Sequence, residues 1–254
     1  MTAAMTAPMS DLPAIATLAA KRIAIVTPPA NPTVEPELRV LLDASVASYI
    51  ARLPVLPGDL RARSARYGEH YAAVLASFGN LRLDAAYIAM TGASYPLGIT
   101  GDRALASELG RARSIPVFTA SLAIATALEA LNARRLSIVS PYPQWLTDHA
   151  IGYWESAGFG LQQVVKVSED FRAYELEDHE VAAAMSKLQA PYGDAIILSG
   201  TGMMSVRTII AAQARLGVPV LSSNICGAWA TSRAIGARPS ATLAAAAPRL
   251  AALL

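Results

Sequence analysis

Short runs rich in Ile and Val recur along the chain, separated by longer stretches in which Ala and Leu return at helical spacing. That alternation predicts βαβ units, with parallel sheet strands covered by helices on both faces. Strands are expected over residues 23–26, 51–54, 86–90, 117–119, 136–139, 162–167, 196–199 and 220–222. Helices are expected over 36–50, 67–78, 102–113, 121–131, 144–157, 178–188, 205–216 and 228–235, with Gly158, Gly217 and Gly236 near helix ends. The apolar tail 241–254 reads as a docked C-terminal helix, with homo-oligomer contact as the weaker reading.

The pattern also repeats. Arg22-Ile23-Ala24-Ile25-Val26-Thr27-Pro28 is matched by Arg135-Leu136-Ser137-Ile138-Val139-Ser140-Pro141. The run from Asp84 to Thr91-Gly92 is matched by the run from Asp194 to Thr201-Gly202, and Ile115-Pro116-Val117 by Val218-Pro219-Val220. Three matching runs in the same order predict an α/β fold of two pseudo-symmetric lobes with parallel sheets and a site between them. Residues 1–20 are expected to be a flexible extension, 21–134 the first lobe, with strand exchange allowed near 115–134, and 135–254 the second.

Composition narrows the function. The chain has 254 residues, 54% hydrophobic and 16% charged, which suits a packed α/β protein. Its formal charge is 21 − 19 = +2, with basic residues scattered apart from groups such as Arg61-Ala62-Arg63. No nucleic-acid footprint results. The apolar N-terminal stretch has its positive charges after rather than before it, and no run is long enough to span a membrane, so no membrane association is expected. The single cysteine, Cys226, excludes an internal disulfide framework and suits a reducing cytoplasm.

Ligands of such sheets bind beyond the carboxyl ends of the strands. The strand ends here nominate Pro29, Asn31, Met90, Thr91, Gly92, Ser94, Tyr142, Gly200, Thr201, Gly202, Ser223 and Asn224, a set rich in hydroxyls and exposed backbone N–H and poor in charge. Those are the ingredients of a carboxylate cradle built from neutral donors. Each also has a plainer reading: the Thr-Gly pairs as turns, Tyr142 as a half-buried aromatic, Asn31 as a residue bonding its own backbone. Cys226 reads as an inert buried thiol rather than a thiolate at a helix start. The histidines lack metal-ligand spacing, no dinucleotide or phosphate-loop motif is present, and a nucleophile elbow is absent, so neither metal nor cofactor is expected.

These residues resemble the aspartate/glutamate racemase superfamily, in particular its maleate isomerase and arylmalonate decarboxylase branch. The resemblance rests on Pro28-Pro29-Ala30-Asn31-Pro32-Thr33-Val34-Glu35, Ala89-Met90-Thr91, Ser140-Pro141-Tyr142, Leu198-Ser199-Gly200-Thr201-Gly202 and the segment from Gly217 to Asn224, and runs from about Arg22 to Gly236. It implies a cofactor-independent enzyme holding a small carboxylate between its lobes. Racemases of this kind place a cysteine in each lobe for proton exchange; isomerases use one to add to the double bond; decarboxylases keep the second as proton donor. Counting from Asp84 and Asp194, those positions fall on Met90 and Gly200. Neither exchanges a proton. The resemblance then implies a decarboxylase or isomerase-like enzyme that does not use two thiols, with Tyr142, Thr91 and Thr201 as catalytic groups; the alternative is a non-catalytic carboxylate sensor.

Overall fold

A computed structural model describes residues 21–254; the expected extension at 1–20 lies outside the described residues. The first lobe runs β1 Lys21–Thr27, α1 Val34–Leu41, β2 Val46–Arg52, α2 Leu60–Arg66, a 3-10 turn Tyr67–His70, α3 Tyr71–Ala76, β3 Ala85–Ile88, a 3-10 turn Tyr95–Leu97, α4 Gly98–Arg113, β4 Val117–Thr119 and α5 Ala120–Ala130. The second runs β5 Arg135–Ser140, α6 Gln144–Ser156, β6 Gly160–Lys166, α7 Asp178–Met185, β7 Ala195–Leu198, α8 Val206–Leu216, β8 Val220–Ser222 and α9 Ser223–Ile235, and ends in α10 Ala241–Ala246 and α11 Pro248–Ala251. Each lobe holds a four-stranded parallel sheet, ordered β2-β1-β3-β4 and β6-β5-β7-β8. The two orders are the same under exchange of lobes.

The repeat extends to single hydrogen bonds. Asp84 accepts from the backbone N–H of Arg22, and Asp194 from those of Arg134 and Arg135, each at 2.8 Å, so an aspartate preceding the third strand ties down the start of the first. Ala89 N–H donates to Val26 and Ser199 N–H to Val139, carrying the pairing past the last strand residue. Thr119 and Ser222 cap α5 and α9 by accepting from Leu122 and Ile225. These capped helices lie against each other between the lobes, and the Tyr87 hydroxyl of β3 donates to the Ser223 carbonyl at 2.8 Å. The central strands β1, β3, β5 and β7 are almost wholly buried on both faces, as parallel strands require.

Several expected boundaries are corrected. The helix expected over 36–50 stops at Leu41, and residues 46–52 form β2, so the strand expected at 51–54 begins five residues earlier. Val46–Arg52 alternates buried and more exposed positions, the period of an edge strand, and Asp43 turns the chain by accepting from Ser45 N–H. The helix expected over 67–78 is a 3-10 turn followed by α3, and an unanticipated α2 precedes it, capped by Asp59, which accepts from Ala62 N–H. The α9 helix starts at Ser223 rather than 228, which puts Asn224 and Cys226 on its first turn. The tail is two short helices broken at Ala247-Pro248, because proline cannot continue the hydrogen-bond ladder. It is docked: Trp229 Nε1–H donates to the Leu250 carbonyl at 2.8 Å in the interior. No described helix is long and apolar enough to cross a membrane.

Candidate active site

A cavity of about 90 Å³ opens between the lobes beyond the carboxyl ends of the central strands. The first lobe contributes Pro29, Met90, Thr91 and Gly92, and the second Tyr142, Gly200, Thr201 and Gly202. Met90 and Gly200 stand two residues beyond the ends of the equivalent strands β3 and β7, so the repeat puts them at matching places. The strand ends thus meet as expected. The remaining nominated residues, Asn31, Ser94, Ser223 and Asn224, are buried behind the cavity wall.

Behind that wall the four residues hold the loops in place. Asn31 Nδ2–H donates to the Thr201 hydroxyl at 3.1 Å, which itself donates to the Ala89 carbonyl at 3.0 Å. The Thr201 hydroxyl is therefore used in joining the lobes. Asn224 Nδ2–H donates to the Thr201 carbonyl and the Thr33 hydroxyl to the Gly202 carbonyl, so both peptide oxygens of this loop are held. On the first lobe, the Thr91 and Ser223 hydroxyls lie 3.0 Å apart, and the Ser223 oxygen also accepts from Gly200 N–H at 3.1 Å. Ser94 instead donates to Asp102, a buried carboxylate that also accepts from Thr119 and Tyr153. The backbone N–H groups of Thr91, Gly92, Thr201 and Gly202 donate to nothing among the described residues.

Tyr142 is 6% exposed, stacked on Phe171 at 6.1 Å and edge-on to Tyr95 at 6.1 Å. Burial pushes its phenol pKa well above the ordinary range, against the opposing pull of the neighbouring Thr91 and Ser199 hydroxyls. It is held as a protonated donor. A side chain at position 200 would begin 3.0 Å from the Tyr142 hydroxyl and 3.2 Å from Pro141, and Gly200 has a φ of 98°, a conformation that favours glycine. Tyr142 thus stands in the space that a residue-200 side chain would occupy. Gly200→Ala is expected to cost about 1–3 kcal/mol in stability from backbone strain and to displace the phenol; unfolding in urea and the near-ultraviolet tyrosine signal report both. At Gly202, a Cβ would fall 2.5 Å from the Tyr174 ring, so this loop admits the ring only because it has no side chain.

Sequence reasoning missed the opposite wall. Arg63, Ser64 and Tyr67 from α2 and the turn after it, and Tyr174 from the loop preceding α7, line the cavity facing the strand ends. Arg63 was legible only as part of the short basic group Arg61-Ala62-Arg63, although its spacing from Tyr67 puts both on one helical face. Burial raises the pKa of both phenols, and the Arg63 guanidinium opposes it in each. Glu37 was missed too. From α1 it crosses to the second lobe, where its carboxylate accepts from Ser205 N–H at 2.7 Å, Val206 N–H at 3.1 Å and Asn224 Nδ2–H at 2.8 Å. It caps α8 and positions the asparagine that holds Thr201.

Cys226 is fully buried and absent from the cavity wall, and burial pushes its thiol pKa up. Cys226→Ser is expected to leave ligand affinity unchanged, and the native thiol to resist a thiol-selective reagent until the protein unfolds; rapid labelling of the folded protein would contradict this. Among the described residues no three His, Cys, Asp or Glu side chains gather as metal ligands would.

Residues 23–248 match the family model described as arylmalonate decarboxylase. A maleate isomerase of Nocardia farcinica is 27% identical over 233 residues, covering 85% of this chain and 90% of that protein. An arylmalonate decarboxylase of Bordetella bronchiseptica is 29% identical over 154 residues, 58% of this chain and 62% of that protein. Among solved structures, a cysteine-to-serine mutant of the Nocardia farcinica maleate cis-trans isomerase with a covalently bound succinylcysteine intermediate superposes with a TM-score of 0.81 at 21% identity, covering 91% of this chain and 98% of that one. The match spans both lobes and both strand-end loops, and on that ground the chain belongs to the arylmalonate decarboxylase family.

Proposed function

We propose that the protein is a cofactor-independent decarboxylase of a small malonate-type acid, with Tyr142 as its proton donor. The observation that carries this is the phenol in front of Gly200: the side chain missing from one strand end is replaced in space by an O–H from the next loop. The acid's retained carboxylate sits against the free N–H groups of Thr91, Gly92, Thr201 and Gly202, with the Thr91 hydroxyl as a further donor. Loss of carbon dioxide breaks the bond from the α-carbon to the departing carboxylate and leaves the electron pair on the α-carbon, delocalised as an enediolate. Fixed dipoles aimed at the enediolate oxygens favour this state over the ground state, an effect worth several kcal/mol. Tyr142 then gives its proton to the α-carbon and recovers one from water. A phenol made weakly acidic by burial still suffices, because the enediolate carbon is a far stronger base than a phenolate.

The Nocardia enzyme carries a succinylcysteine; in this chain Met90 and Gly200 at the strand ends lining the cavity exclude thiol chemistry there. The same exclusion supports a second reading, a sensor that binds a carboxylate without turning it over. Assaying carbon dioxide release from substituted malonates, alongside calorimetric binding, separates the two: binding without release leaves the sensor. Thr91→Ala is expected to weaken malonate binding by about 1–3 kcal/mol through the lost donor, and unchanged affinity would remove Thr91 from the cradle. Thr201→Ala is expected to act through the Asn31 and Ala89 bonds, lowering stability by about 1–2 kcal/mol.

A further inference from the structure

The cavity wall has two chemically different sides. The strand-end side offers neutral donors, whereas the α2 side offers Arg63 together with the hydroxyls of Ser64, Tyr67 and Tyr174. None of these four side chains makes a hydrogen bond or ion pair among the described residues. Ser64 and Tyr67 are themselves buried residues, 4% and 6% exposed, and their hydroxyls lie at the cavity wall without a protein partner. A guanidinium and three hydroxyls left unpaired on one wall form a set of donors that an anion satisfies.

The set is also held in position. Asp59 caps α2, and the Arg61 guanidinium lies 4.5 Å over the Trp145 ring of α6, which ties α2 to the second lobe. Resting on the malonate reading above, we propose that Arg63, Ser64, Tyr67 and Tyr174 form a second anion subsite, and that the substrate is a malonate whose substituent ends in a further carboxylate.

One physical constraint orients that ligand. An arginine beside the departing carboxylate would hold it as an anion and oppose its loss as neutral carbon dioxide, since only interactions stronger in the transition state speed a reaction. The leaving group therefore belongs on the apolar wall of Pro28, Met90 and Leu146, and Arg63 takes a carboxylate on the substituent.

The test compares carboxymethylmalonate with its neutral isostere carbamoylmethylmalonate by calorimetry and by carbon dioxide release. The wild type is expected to bind the acid about 10- to 100-fold more tightly than the amide, as a charge-assisted pair implies. Arg63→Gln is expected to abolish the preference, Tyr67→Phe to reduce it, and Arg63→Lys, which keeps the charge without the fork, to retain part of it. Equal affinity for acid and amide in the wild type, persistence of the preference in Arg63→Gln, or binding of neither compound overturns the subsite. Arg63-dependent binding without carbon dioxide release would defeat the decarboxylase reading and leave the subsite standing. Release from both compounds at equal affinity would do the reverse.

Discussion

Tyr142→Phe is expected to slow malonate decarboxylation by about 100- to 10,000-fold, the usual worth of a positioned general acid, while changing malonate affinity little. Phenylalanine keeps the stack on Phe171 and the edge contact with Tyr95, so the fold and cavity shape should survive. What is removed is one proton, held where a side chain on Gly200 would otherwise stand. Separate measurement of kcat and Kd makes the test: a fall confined to kcat marks an interaction used in the chemical step, whereas a loss shared with binding marks a group that merely holds the acid. An unchanged kcat would transfer the protonation to water.

The largest stability effect is expected at Glu37. Glu37→Ala strips the acceptor from Ser205 N–H, Val206 N–H and Asn224 Nδ2–H in a buried place, which should cost about 3–5 kcal/mol in urea unfolding. Freed from Glu37, Asn224 no longer fixes the Thr201 carbonyl, so affinity for the carboxylate should fall as well. The pH dependence has a definite sign. Burial raises the Glu37 pKa above the ordinary glutamate range, with the bonds from Asn224, Ser205 and Val206 opposing it. The folded protein then binds the proton more tightly than the unfolded one, and the stability Glu37 contributes is complete below the ordinary value and declines as pH rises through the raised one. Glu37→Gln removes that titration, so the wild type's advantage over this variant should shrink as pH rises across that window. A growing advantage would show that the three donors outweigh burial.

The repeat made the fold legible, because Asp84 and Asp194, and Thr119 and Ser222, carry out matching local tasks in each lobe. Strand-end logic also found the wall of the cavity that Met90, Thr91, Gly92, Gly200, Thr201 and Gly202 line. Boundaries failed where periods compete: Val46–Arg52 carries enough alanine and leucine upstream to read as a continued helix, yet its alternating exposure is that of an edge strand. Side-chain commitments were not legible either. Thr91 and Thr201 look equivalent in sequence, but one hydroxyl lies beside Ser223 at the cavity while the other is used in bonds to Ala89 and Asn31. Arg63 and Glu37 were hidden for a common reason, since a charged residue on a short helix normally faces solvent and only tertiary packing turns these two inwards.

The central claim is that a chain with no thiol at either strand end still turns over a malonate. Incubation of the wild type and Cys226→Ser with a panel of malonates, maleate, aspartate, glutamate and hydantoins in deuterated water, followed by NMR, tests it most directly. A malonate converted by both proteins at equal rate to a product carrying a single α-deuterium is the predicted result. Binding with neither turnover nor exchange, or turnover that vanishes with Cys226, would contradict it.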